Sequence, residues 1–129
     1  MSVLAHSTRT LGVGDVAVDS GVAPSAVRFY ENHGVIKAVR TSGNQRRFDD
    51  SAACRIQVAK LAQRVGLSVR EIADLFADLS DDPTPEEWGR VAEQLVTEAE
   101  ERVRHLKAQL AAVASGAKLC EIGRDDPAG

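Results

Sequence analysis

The stretch Val13-Gly14-Asp15-Val16-Ala17-Val18-Asp19-Ser20-Gly21-Val22-Ala23-Pro24-Ser25-Ala26-Val27-Arg28-Phe29-Tyr30 decides the fold. Its spacing predicts a short helix over about Val13 to Ser20, with Val13, Val16 and Ala17 on one face. Gly21 stands where such a helix stops. Pro24 suits the first turn of a second helix. That helix runs to about His33, with Ala26, Val27 and Tyr30 spaced for packing, and Gly34 ends it. Ala23 is a weak N-cap, about 1 kcal/mol poorer than Ser or Thr. Two short helices joined through a Gly-containing turn read as a helix-turn-helix.

Beyond Gly34 the pattern changes. Val35-Ile36 is a short apolar run, and Arg40-Thr41-Ser42-Gly43-Asn44-Gln45-Arg46-Arg47-Phe48 follows. Thr-Ser-Gly-Asn is turn chemistry, so the flanks are expected to pair as a small hairpin, a wing carrying Arg40, Arg46 and Arg47 near its tip. Asp49 is placed to cap a third helix, Asp50 to Val65, with Ile56, Val58, Ala59 and Leu61 apolar and Gly66 at its end. Ser68 and Glu71 form a capping box that opens a fourth helix, with Val69, Ile72, Leu75, Phe76 and Leu79 on one stripe. Asp81-Asp82-Pro83 breaks the chain, and Thr84-Pro85-Glu86-Glu87 supplies a second capping box with a first-turn proline.

The fifth helix is the longest. Trp88, Val91, Leu95, Ala99, Val103, Leu106, Leu110 and Val113 are spaced 3, 4, 4, 4, 3, 4 and 3. That is near the heptad repeat, and Glu93, Glu98, Arg102, Lys107 and Gln109 flank the stripe. From Trp88 to Val113 such a helix measures roughly 38 Å. A second copy is the expected cover for so long a seam, in an antiparallel coiled coil; the alternative is burial along the head of its own chain. Gly116 ends the helix. The expected organisation is an all-α fold with a small β-wing: a winged helix-turn-helix head over 10–80, a dimerisation helix over 84–116 and a flexible tail over 117–129.

The 129 residues suit one compact domain or a small head joined to one long element. The longest helical stretch, Trp88 to Ala117, is interrupted by charges every few residues, so no segment is expected to span a bilayer. The N-terminal residues 1–10 lack the apolar core of a secretory signal. Two cysteines, Cys54 and Cys120, make no disulfide framework and suit a reducing cytoplasm. Five aromatic residues are too few for stacking-type single-strand readers. The net charge of −3 argues against nucleic acid until it is partitioned. Residues 28–64 hold eight basic residues against Glu31, Asp49 and Asp50, whereas residues 81–129 hold six basic against eleven acidic. A basic block beside an acidic tail is a footprint for polyanion binding.

A helix-turn-helix, a basic wing and a dimerising helix together have the logic of duplex recognition. The second helix enters the major groove, the wing straddles backbone and the dimer sets half-site spacing. The expected DNA contacts are Ser25, Arg28 and Tyr30 in the recognition helix and Asn44, Gln45, Arg46 and Arg47 in the wing. Arg28 and Tyr30 lie two apart and cannot share one face, so the Tyr30 hydroxyl is expected at a phosphate on the edge; a half-buried core ring is the alternative. Phe29 is expected to pack against Leu11 or Val16. No Gly-rich phosphate loop, metal-ligand pair or nucleophile with a nearby base supports an enzyme. The competing class is a non-catalytic helical adaptor that does not bind DNA. Salt separates the two, because phosphate contacts make affinity fall steeply with ionic strength.

Several separate blocks agree with one family. Val13-Gly14-Asp15-Val16-Ala17, Ser20-Gly21-Val22, Val27-Arg28-Phe29-Tyr30-Glu31, Gly34-Val35-Ile36 and Gly43-Asn44-Gln45-Arg46-Arg47-Phe48 resemble the MerR family in order and spacing. The wing, and Thr84-Pro85-Glu86-Glu87-Trp88, are most similar to the SoxR branch. The resemblance covers about residues 10–113. It implies a homodimeric transcription regulator on double-stranded promoter DNA, bound at a dyad-symmetric site in an over-long spacer. Such a regulator distorts the duplex and so acts on RNA polymerase indirectly, through the promoter.

The resemblance stops at the sensor. SoxR proteins hold a two-iron two-sulfur cluster on four cysteines just after the dimer helix. The first three ligand positions fall here on Gly116, Leu119 and Glu121, and Cys120 is the one cysteine in that region. One thiolate does not replace four, so neither cluster nor other cofactor is expected. Metal-sensing relatives carry a cysteine where this chain reads Ser80-Asp81-Asp82, so no metal site is expected, and His105 is expected at the surface. The dozen residues after Gly116 make no separate ligand domain, though Phe76, Leu79 and Trp88 are candidates to line a small apolar site. Cys54 is expected to be a buried small apolar residue. Cys120, between Lys118 and Arg124, is the candidate redox residue of a thiol-based regulator.

Overall fold

The computed structural model describes residues 11–116, and within them the sequence folds as five helices and one two-stranded hairpin. Helix α1 is Val13–Ser20 and α2 is Pro24–Asn32. The hairpin is β1, Val39–Arg40, paired antiparallel with β2, Arg46–Arg47. Then follow α3, Ser51–Val65, α4, Val69–Phe76, and the 30-residue α5, Pro85–Ala114. No helix among the described residues is long and apolar enough to cross a membrane.

Local chemistry explains the boundaries. The amide of Gly12 donates to Asp15 Oδ2 at 2.9 Å, satisfying one orphan donor at the start of α1. Gly21 takes the left-handed conformation, φ 76°, and its amide returns to the Ala17 carbonyl, so the chain turns into α2. Asp49 Oδ1 accepts from the Ser51 amide and hydroxyl at the start of α3. Ser68 with Glu71, and Thr84 with Glu87, form reciprocal capping boxes.

Val16, Val27, Val35, Ile36, Phe48, Ile56 and Ile72 are fully buried, so every element from α1 to α4 and the wing base contributes to one core. A backbone bridge between Leu11 and Phe48 ties the approach to α1 to the wing, with N–O distances of 3.0 and 2.7 Å. Helix α5 docks on this head by its first turns. The Trp88 ring meets Phe76 edge-on at 5.7 Å, Val91 is buried and Leu95 packs against the core.

The apolar stripe of α5 is therefore divided. Trp88, Val91 and Leu95, expected in the dimer seam, are covered by the head of their own chain. Ala99 is half-buried, while Val103, Leu106, Leu110 and Val113 are 45–65% exposed. Two smaller expectations also change. Leu61 and Cys54 point outward from α3, because Ala52, Ile56, Ala59 and Ala62 fill its inner face.

Candidate nucleic-acid interface

Helix α2 is anchored from one side. Val27 and Tyr30 are buried three residues apart and set the phase of the helix. Opposite them, Ser25, Arg28, Phe29 and Asn32 are exposed, at the i, i+3, i+4 and i+7 positions of one face. Ser25 and Arg28 thus stand where the sequence placed them, and the two aromatic residues have exchanged roles.

The Tyr30 ring lies in the core, 6% exposed. Its hydroxyl donates to Gln63 Oε1 on α3 at 2.6 Å. Burial holds the phenol above its ordinary pKa. The hydroxyl expected at a phosphate is instead engaged inside the head. Phe29, expected against Leu11 or Val16, is 41% exposed; its ring meets Tyr30 edge-on at 5.5 Å and lies 4.3 Å from His33. The cause is phase: with Val27 inside, the next inward position is residue 30, and residue 29 rotates out.

The wing turn is built from its own polar atoms. The Thr41 amide donates to the Gln45 carbonyl, and the Asn44 amide to the Thr41 carbonyl. The Gln45 amide donates to Thr41 Oγ1 at 3.2 Å. Asn44 takes φ 62°, a left-handed conformation its short amide side chain tolerates better than most. Asn44 and Gln45 are exposed at the tip, and Arg40 reaches across it to the Asn44 carbonyl at 3.1 Å.

The two wing arginines differ. Arg46 Nε donates to Glu31 Oε1 on α2 at 2.6 Å, in an ion pair whose side chains are 29% and 18% exposed. This pair binds the wing to α2. Arg47 donates to Gln45 Oε1 at 2.9 Å and lies beside Gly12 at the start of α1. Among the described residues no carboxylate forms an ion pair with its guanidinium, so of the two it keeps more of its charge for solvent. The sequence did not suggest Glu31 or Gln63, because both act on partners distant in the chain.

Among the described residues, the two cavities between head and helix have mixed walls. A cavity of about 50 Å³ touches Phe76 and Leu79, but Lys37, Asp49, Arg55 and Asp81 share its wall and Trp88 is not part of it. A second cavity, about 270 Å³ between α4 and α5, is lined by Glu71, Asp74 and Glu98 as well as Leu67, Leu75 and Leu95. Among the described residues there is no group of three metal-ligating side chains. Gly116, at the first expected cluster position, has no ligand atom, and Cys54 on α3 is the one cysteine described. These residues do not fit an iron–sulfur cluster. Cys120 lies outside the described residues.

Comparison with known proteins agrees with this geometry. Residues 12–79 match the family described as MerR HTH family regulatory protein, and residues 54–115 match MerR, DNA binding. A SoxR homolog of Chromobacterium violaceum, an HTH-type transcriptional activator, is 35% identical over 96 residues. That alignment covers 73% of this chain and 65% of the activator, so it spans slightly less than two thirds of that relative's length. The mercuric resistance operon regulatory protein of Pseudomonas fluorescens is 32% identical over 111 residues, covering 85% of this chain and 76% of that protein. In fold, the chain is similar to a MerR family transcriptional regulator of Listeria monocytogenes, with TM-score 0.54, 23% identity and 81% of each chain covered. It is also similar to HiNmlR, a MerR family regulator lacking the sensor domain, solved bound to promoter DNA, with TM-score 0.52 and 22% identity over 82% of this chain and 86% of that one.

Proposed function

This chain belongs to the MerR family of helix-turn-helix, DNA-binding transcription regulators, and from that premise we propose that it acts in the cytoplasm as a homodimer on a dyad-symmetric site inside a promoter spacer. Each protomer lays α2 in the major groove with Ser25 and Arg28 toward the bases, while Asn44, Gln45 and Arg47 of the wing meet the adjacent backbone. Arg46 acts mainly by holding the wing to α2 through Glu31. The far part of α5, from Ala99 to Val113, pairs with its counterpart in an antiparallel coiled coil and fixes the distance between heads. Binding distorts the duplex, and polymerase responds to the altered promoter rather than to a protein contact.

The observation that carries this reading is the one-sided anchoring of α2. Val27 and Tyr30 hold it to the core while Ser25 and Arg28 face solvent on the opposite face, and Glu31 carries the wing alongside. The acidic charge of the α5 region does not oppose this, because the basic residues are concentrated in 28–64. Equilibrium binding to duplex DNA over a salt series tests the reading. Phosphate contacts predict a logarithmic affinity that falls linearly with the logarithm of salt, by about 0.9 per phosphate neutralised. A salt-independent affinity, or none for any duplex at low salt, would leave the helical adaptor as the better account.

A further inference from the structure

Phe29 stands on the outer face of α2. It is apolar and 41% exposed, and it shares a helix face with Ser25, Arg28 and Asn32. We infer that Phe29 is a specificity-determining residue, its ring packing against the C5-methyl group of a thymine in each half-site; this rests on the placement of α2 in the major groove proposed above.

The chemistry of the groove narrows the partner to one. Guanine, adenine and cytosine are distinguished on their major-groove edges by hydrogen-bond donors and acceptors, and thymine alone carries a methyl group there. An aromatic ring laid on the polar edges strips their water without replacing it. Against the methyl it buries apolar surface on both sides. The other three residues of the face are polar or charged, so the ring is the sole apolar reader there.

The ring is also held in advance. Its edge-on neighbour Tyr30 is buried and hydrogen-bonded to Gln63. On the other side His33 lies 4.3 Å away, with its Nδ1 2.9 Å from the Phe29 carbonyl oxygen. A side chain restrained before binding loses little freedom on contact. The exchange of places between Phe29 and Tyr30 is what turns an apolar ring toward DNA instead of a phenol.

The test begins with selection of duplexes from a random pool by the full-length protein, by Phe29→Ala and by Phe29→Leu. Matching thermal melts establish that the variants fold. The wild-type consensus is expected to hold a thymine at one position of each half-site, a requirement that Phe29→Ala relaxes and Phe29→Leu keeps. Deoxyuridine then replaces that thymine and removes only the methyl. Burial of one methyl is worth about fourfold in affinity, hence roughly fifteenfold over two half-sites. The wild type should lose that amount, and Phe29→Ala should bind both duplexes alike. A wild type indifferent to uracil throughout its half-site, or a Phe29→Ala protein as sensitive as the wild type, overturns the inference while leaving the DNA reading intact. A pool that the wild type does not enrich overturns both.

Discussion

Glu31→Gln tests whether the wing is a separate basic finger or part of the recognition helix. Arg46 Nε meets Glu31 Oε1 at 2.6 Å, and the two side chains keep 29% and 18% of their exposure. A hydrogen bond to a charged group contributes about 1.5–3 kcal/mol, whereas a fully exposed ion pair contributes only about 0.2–1 kcal/mol. Partial burial puts this pair between those limits. The glutamine keeps an acceptor and loses the charge, so the loss should be about 1 kcal/mol, or roughly 4 °C in melting temperature for a domain of this size.

The DNA phenotype separates the two ideas. Released from Glu31, Arg46 gains freedom to meet a phosphate, which steepens the salt slope by up to about 0.9. Affinity for random duplex should therefore rise, while preference for the operator falls because the wing no longer holds its angle to α2. Arg46→Ala should destabilise the head but leave the salt slope nearly unchanged, and Arg47→Ala should flatten it. Equilibrium binding on operator and random duplexes at several salt concentrations reads all three variants. Equal flattening by Arg46→Ala and Arg47→Ala would mean that Arg46 leaves Glu31 for the backbone, and the positioning role assigned to it would be wrong.

Other consequences follow from single contacts. Tyr30→Phe should lose up to about 1 kcal/mol of stability by deleting the bond to Gln63 and leave operator affinity within twofold in a binding titration; a tenfold loss would restore the hydroxyl to the phosphate. Glu87 accepts from the Ser80 amide, the Thr84 amide and the Ser80 hydroxyl, which hold its pKa at about 2 instead of 4.5. Its contribution is thus fully present above pH 4.5 and is lost as the pH falls towards 2. A nuclear magnetic resonance titration should find its midpoint near 2, and a midpoint near 4.5 would contradict the cap. Leu106→Glu or Leu110→Glu should give monomers, because a buried leucine contributes about 1.5–3 kcal/mol and the dimer buries two copies, raising its dissociation constant by roughly a hundredfold or more. Sedimentation reads this directly, and an unchanged dimer would move the interface elsewhere.

Features governed by neighbours in the chain were legible in the sequence. The Ser68–Glu71 and Thr84–Glu87 boxes, the left-handed Gly21 and the Thr41–Gln45 turn depend on residues within a few positions, and each stands where its residues imply. The aromatic pair was legible only in part: Val27 and Tyr30 are spaced for packing and both are buried, but the partner of the Tyr30 hydroxyl and the exposure of Phe29 were not. Phe29 and Tyr30 are adjacent rings of similar size, and the selection between them comes from Val27 and from Gln63, which lies 33 positions away. The Glu31–Arg46 pair likewise crosses 15 positions and leaves no periodic mark. The α5 stripe shows a different limit. A heptad records that a face is apolar and not which molecule covers it, so Trp88, Val91 and Leu95 on their own head look the same in sequence as the exposed Leu106 and Leu110, proposed to meet a partner.

The central claim is that two copies of this chain read a symmetric duplex site. A hydroxyl-radical footprint of the purified, untreated protein on the DNA upstream of its own gene tests it most directly. Two protected half-sites related by a dyad within a promoter spacer are expected, lost together in Leu106→Glu and Leu110→Glu. A single protected patch that the monomeric variants keep, or no protection of any duplex at low salt, would contradict it.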